Sequence, residues 1–162
     1  MKRIAIVGVG LIGGSWALAL RSIYSQATVL GVDANETHLS KALALGLIDK
    51  AADLTEAANC DLILVCVPVS ASLGVISNLL DKVGPESLVM DAGSTKGALC
   101  RHLSDHKNRA HFLAAHPIAG TEYSGPEAAI QGLFENKLMI LCEIEKTAIS
   151  LQERALSTLS QM

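Results

Sequence analysis

Three short stretches of the chain hold residue types that can do chemistry together. "GVGLIGGS" carries Gly8, Gly10 and Gly13 in a G-x-G-x-x-G spacing. "DAGSTKG" brings Ser94, and "HPIAGTEYSG" brings His116, Thr121 and Glu122. Glycines in the first pattern let a pyrophosphate approach the backbone at a helix N-terminus, where free N–H groups and a partial positive charge face it. Leu11 and Ile12 would open that helix and supply such groups. An imidazole suits proton acceptance near neutral pH. A strand-end serine can hydrogen-bond a substrate hydroxyl or orient a base. The chemistry these residues imply is hydride removal from a carbon bearing a hydroxyl, with the O–H proton passing to histidine.

Each stretch also has a plainer reading. The glycines can serve a tight turn alone. Ser94 can cap a helix from Thr95, and this is the better reading of the residue by itself. His116 can be a histidine satisfied at a strand end, and the residues alone do not separate the two accounts. His102 and His106 stand four apart, a spacing that can hold a metal on a helix. Asp105, Lys107, Asn108 and Arg109 beside them make a solvated polar face the better reading, and no metal is expected.

The functional reading requires elements that bring the three stretches to one rim. The sequence alternates apolar runs with amphipathic segments. Strands are expected at 3–9, 27–33, 61–68, 88–93, 111–115 and 137–144, with a short edge strand and a helical turn in the weakly patterned stretch 47–60. Helices are expected at 11–24, 36–45, 70–83, 95–103, 126–134 and 147–162. The run "DLILVCVP" is apolar on both faces, as a parallel strand covered by helices would be. Repeated strand–helix units predict an α/β fold, a doubly wound and mostly parallel Rossmann-type sheet that binds ligands at its carboxyl ends. Asp33, at the end of the second strand, lies about 20 residues past Gly13, the place of a carboxylate that accepts both adenosine ribose hydroxyls. Ala34 and Asn35 follow, with no arginine for a 2′-phosphate, so the expected cofactor is NAD rather than NADP. Val67 and Pro68, closing the fourth strand, would border the nicotinamide-side ribose; a proline simply ending a strand explains Pro68 equally well.

Composition agrees with one buried-core domain. Of 162 residues, 50% are hydrophobic and only 3% aromatic, so the core must be aliphatic. The net charge of −3 and the absence of a basic run argue against nucleic acid as partner. Cys60, Cys66, Cys100 and Cys142 lack paired spacing and read as reduced thiols of a cytoplasmic protein. "MKR" followed by an uncharged run imitates a signal peptide, but its four glycines fit a strand, turn and helix better. No stretch is long and apolar enough to span a membrane.

In this order and at these distances the three motifs resemble the prephenate dehydrogenase family of tyrosine biosynthesis, which includes arogenate and cyclohexadienyl dehydrogenases. The resemblance runs from Lys2 to about Glu145. It implies NAD(P)-dependent oxidative decarboxylation of prephenate to 4-hydroxyphenylpyruvate. The histidine matching His116 would accept the ring hydroxyl's hydrogen bond and proton. The serine matching Ser94 would help place histidine and nicotinamide, with Thr121 and Glu122 at the pocket mouth. The family continues into a helical domain that dimerises and contributes an arginine for the substrate's side-chain carboxylate. Residues 1–145 are therefore expected to be the dinucleotide-binding domain and 146–162 the start of a connecting helix. A homodimer is expected of the full-length protein, and weak or no activity of this chain alone. An apolar side of the last helix, Ile149, Leu151, Leu156 and Leu159, is expected to be exposed. Rival readings are an arogenate dehydrogenase, another NAD-dependent hydroxyacid-type dehydrogenase, or a non-catalytic NAD-binding module.

Overall fold

The computed structural model describes the whole chain, Met1–Met162. Its apolar runs become seven strands: β1 (Arg3–Val7), β2 (Thr28–Val32), β3 (Lys50–Ala51), β4 (Leu62–Val65), β5 (Leu88–Asp91), β6 (Phe112–Pro117) and β7 (Met139–Cys142). They form one sheet in the order β3-β2-β1-β4-β5-β6-β7. All neighbours are parallel except β6 and β7, which pair antiparallel with His116 opposite Ile140. The order reverses at β1, so β1 and β4 diverge to opposite connections and leave a crevice at their carboxyl ends.

Six α-helices cover the sheet: α1 (Leu11–Ile23), α2 (Glu36–Ala44), α3 (Leu54–Ala57), α4 (Val69–Leu80), α5 (Gly97–Leu103) and α6 (Ile149–Leu159). Strand side chains alternate between two layers. Ile4, Ile6, Leu62, Leu64, Leu113 and Ala115 pack with Trp16 and Leu20 of α1 and Leu151 and Ala155 of α6. Ala5, Val7, Ile63, Val65, Phe112 and Ala114 pack with Ile76 and Leu79 of α4 and Leu99 and Leu103 of α5. Each fully buried Leu or Ile contributes roughly 1.5–3 kcal/mol of hydrophobic stabilisation. The few aromatics are concentrated: the Trp16 and Phe134 ring centroids are 4.8 Å apart.

Several expected elements differ from the structure. No helix spans 126–134; a single 3₁₀ turn at Pro126–Ala128 is followed by turns. Gly132 (φ 74°) and Asn136 (φ 58°) take the left-handed region, which a helix cannot use. This irregular segment packs where α1 has no side chain: a Cβ on Gly14 would sit 2.7 Å from that of Ala129. The fourth strand ends at Val65, so Pro68 does not close it; Pro68 is the N-cap of α4. The fifth helix begins at Gly97 rather than Thr95, with Lys96 at its N-cap and no side-chain cap, so Ser94 does not cap it. That helix ends at Leu103, so His102 and His106 share no helical face. His106 instead accepts the Asn108 amide on Nδ1 at 3.1 Å, with Nε2 3.5 Å from Asp81. The last helix is exposed at Ile149 and Leu156, but Leu151, 3% exposed, is core. The expected apolar stripe is therefore split between solvent and sheet. All four cysteines are free thiols, and burial pushes Cys60 up to about 11.

Candidate active site

The turn from β1 into α1 is shaped by its glycines. Gly8 has φ 93°, and a Cβ there would lie 2.6 Å from the Cys66 carbonyl oxygen. A Cβ on Gly13 would lie 1.9 Å from the Gly8 carbonyl oxygen and 2.8 Å from Ile6 Cγ2. Only glycine lets α1 start this close to β1. Gly10 is different: a Cβ there meets nothing within 4 Å. Its bareness opens the backbone to the cleft and not to a packing neighbour. Gly10 is the N-cap of α1 without a side-chain cap, and the helix's first amides have no intrahelical acceptor.

Asp33 stands just past β2 and faces this turn. Its Oδ2 accepts the Val9 N–H at 2.9 Å and its Oδ1 accepts the Asn35 N–H at 2.9 Å. The turn and carboxylate border a cleft of about 880 Å³, whose lining includes Gly8, Gly10, Leu11, Ile12, Asp33, Val67 and Pro68. Gly13 serves the packing beneath. Every other residue expected to hold the cofactor thus reaches one cleft. Carboxylate, open backbone, free helix amides and volume fit a dinucleotide.

His116 lies near the end of β6, within the strand and not beyond it. Its Nδ1 is 3.2 Å from the carbonyl oxygen of Ala92, just past β5. A carbonyl only accepts, so Nδ1 carries a hydrogen, and in the neutral imidazole Nε2 is the nitrogen that keeps its lone pair. The imidazole is half-buried and sits on the same carboxyl rim of the sheet as the glycine turn. It does not point into the hydrophobic interior. His116, Ser94, Thr121 and Glu122 are nonetheless not among the residues lining the cleft. Ser94, Thr121 and Glu122 are exposed on the connections after β5 and β6. Thr121 Oγ1 accepts the Tyr123 N–H at 3.2 Å. The segment after His116 crosses back to the cleft, which it enters at Tyr123, Ser124 and Gly125. It is tied down beyond by Ile130 N–H on Ser15 Oγ at 2.9 Å and by the Lys41–Glu127 ion pair.

Sequence reasoning missed a buried ion pair beneath His116. The Asp91 side chain is 1% exposed and its Oδ2 accepts from Nζ of Lys96, whose side chain is 11% exposed. Oδ2 also accepts the Gly93 N–H at 3.2 Å, and Oδ1 the Ala115 N–H at 3.3 Å. Burial pushes the Asp91 carboxyl up, against the pull of the Lys96 ammonium and these amides. The pair brackets Ala92, which holds the imidazole, and Ala115, which precedes it. A strand-end acid followed five residues later by lysine was the available signal. His38, Tyr123 and the Val9 amide were also missed, since only the folded chain brings them to Asp33 or the cleft.

Residues 16–161 match the family described as the nucleotide-binding domain of prephenate dehydrogenase. The cyclohexadienyl dehydrogenase of Zymomonas mobilis is 36% identical over 142 residues, 86% of this chain and 48% of that protein. The prephenate dehydrogenase of Bacillus subtilis is 35% identical over 151 residues, 89% of this chain and 40% of that protein. Among solved structures, Aquifex aeolicus prephenate dehydrogenase in complex with hydroxyphenyl propionate and NAD+ superposes with a TM-score of 0.91 at 32% identity. That superposition covers 99% of this chain and 57% of the other. The chain spans about half the length of the relatives it matches. No helix is long and apolar enough to cross a membrane.

Proposed function

The chain belongs to the prephenate dehydrogenase family, and from that premise we propose that it is the cofactor-binding and proton-accepting half of an NAD-dependent dehydrogenase acting on prephenate. The reaction is oxidative decarboxylation to 4-hydroxyphenylpyruvate. The observation that carries this reading is the His116–Ala92 hydrogen bond: it leaves Nε2 as the acceptor on the rim that bears the glycine turn. Residues 1–145 act as the dinucleotide-binding domain, and 146–162 lead toward a helical domain of the kind that completes the relatives' length. Homodimerisation and a cytoplasmic location belong to the same reading.

Gly8, Gly10 and the opening amides at Leu11 and Ile12 hold the pyrophosphate, with Gly13 packing the helix in place. Asp33 holds the adenosine ribose, and Val67 and Pro68 border the other ribose. NAD bound there supplies the hydride acceptor. The substrate's ring carboxylate leaves as CO2, its bonding pair restoring an aromatic ring, so the protein's task is orientation and proton acceptance. His116 Nε2 takes the hydrogen bond and then the proton of the ring hydroxyl as the hydride leaves the same carbon, and returns that proton to the phenolate oxygen formed when CO2 departs. Ala92 fixes the tautomer that makes this possible. Ser94, exposed on the connection that follows the neighbouring strand β5, is assigned the hydroxyl contact that steadies substrate against His116. Thr121 and Glu122 lie at the mouth. Contacts to the substrate's side-chain carboxylate are assigned to the helical domain, so the 162-residue polypeptide alone binds NAD and turns prephenate over slowly.

The test is NADH formation from prephenate, with NAD binding measured in parallel on the same protein. NAD binding with no prephenate-dependent NADH, even after addition of a helical domain from a relative, would count against the dehydrogenase reading and favour a binding module.

A further inference from the structure

The adenosine end of the cleft holds a residue that the cofactor reading does not use. His38 lines the cleft from the first turn of α2, with its Nδ1 3.6 Å from Asp33 Oδ2. Its side chain is 34% exposed, against 14% for Asp33. The other groups here are committed or apolar. Asn35 Oδ1 accepts the Thr37 N–H at 2.9 Å and caps α2, and Ala34 offers no polar side chain. Lys41, one turn further along α2, is paired with Glu127. No lysine or arginine lines the cleft. His38 is therefore the cleft residue beside Asp33 that can gain positive charge. The charged groups facing it are Asp33 from the end of β2 and Glu127 from the 3₁₀ turn with its partner Lys41.

We propose that His38 determines, through its charge, how strongly this site rejects a dinucleotide carrying a 2′-phosphate. The inference rests on the dinucleotide reading above. A neutral His38 leaves the Asp33 carboxylate facing the phosphate unscreened, and like charges repel. A protonated His38 offsets that carboxylate at 3.6 Å and gives the phosphate an N–H donor. Histidine is the side chain that ordinarily changes charge between about pH 5 and 8. Rejection of NADP+ is thus strong in mild alkali and relaxed in mild acid.

The experiment measures dissociation constants of NAD+ and NADP+ by calorimetry at about pH 5.5 and about pH 8. The proteins are the wild type, His38→Gln and His38→Lys. In the wild type the ratio of NADP+ to NAD+ dissociation constants should fall roughly five- to tenfold on acidification, the effect of one charge in a partly solvated site. His38→Gln should keep the higher ratio at both values, with only the smaller fall that protonation of the 2′-phosphate itself produces. His38→Lys should show a low ratio at both, closing the pH dependence from the other side. The 2′-phosphate itself takes up a proton over this range, but it does so against every variant, so the difference between variants is the readout. Equal pH dependence in wild type and His38→Gln, with NAD+ bound normally, overturns the inference and leaves the cofactor reading standing. Failure of the wild type to bind either dinucleotide overturns both.

Discussion

Asp33 Oδ2 lies 2.9 Å from the Val9 nitrogen, so the carboxylate proposed to hold a ribose also fastens the middle of the glycine turn. One side chain therefore serves stability and binding together. Asp33→Ala removes the acceptor of two amides, Val9 and Asn35. A loss of about 1–3 kcal/mol in unfolding free energy is expected, together with at least a tenfold weaker NAD complex. Calorimetric titration beside denaturant unfolding checks both.

Gly10 and Gly13 should respond differently to the same added methyl group. Gly13→Ala drives a Cβ into the Gly8 carbonyl and should cost about 2–3 kcal/mol, seen as a thermal midpoint lower by roughly 5–10 °C. Gly10→Ala meets open space and should unfold within about 0.5 kcal/mol of the wild type. Its NAD affinity should nevertheless drop, because the methyl group takes the pyrophosphate's place. A stable Gly10→Ala that binds NAD normally would falsify the assignment of that space.

His116→Asn keeps a polar side chain near the Ala92 carbonyl and removes the acceptor nitrogen. Prephenate-dependent NADH formation should drop by about 10²–10⁴-fold. The NAD dissociation constant should stay within about twofold, since His116 does not line the nucleotide cleft. Parallel loss of both would point to misfolding and not to chemistry.

The parallel sheet and the glycine turn were legible because each rests on local pattern. "RIAIV", "TVLGV" and "LILV" are buried on both faces and read as such. The segment after Tyr123 was not legible. Its apolar residues mimic helical spacing, and nothing in them reveals that the bare surface at Gly14 recruits Ala129. Pro68 was misassigned because a proline that ends a strand and one that begins a helix look alike when two residues separate them. The cleft members Gly8, Gly10 and Asp33 follow from spacing alone. The ion pair of Asp91 and Lys96 does not, because a lysine five residues past a strand ordinarily stays in solvent.

Lys96→Met strips the counter-charge from that carboxylate. A penalty of about 3–5 kcal/mol at neutral pH is expected, with much of it recovered in the double variant Asp91→Asn, Lys96→Met. The pH dependence has a definite sign. Burial holds the folded Asp91 carboxyl above its ordinary range, so the folded state takes the proton first as pH falls. The penalty in Lys96→Met should therefore shrink between neutrality and about pH 5. Urea unfolding at the two values tests this.

Asp49 has the opposite sign. Partial burial pushes its carboxyl up, but the Val29 N–H at 2.7 Å and the Arg21 guanidinium at 2.8 Å outweigh this and hold it below its ordinary range. A lowered acid adds stability above its unfolded value, about 3.9, and loses it as pH falls through the folded one. Asp49→Asn should unfold at a lower temperature than the wild type at neutral pH. The gap should close below about pH 4, as thermal scans in buffers across that range will register.

The reversed strand β7 has a consequence for time scale. Because β7 lies outside β6, the strand carrying His116 has neighbours on both sides and is not the border of the sheet. Borders fray first, whereas interior strands open only with the whole domain. Amide deuteration should accordingly reach Ile140 long before Ala114 and Ala115, and the imidazole inherits the slow breathing of the backbone that carries it.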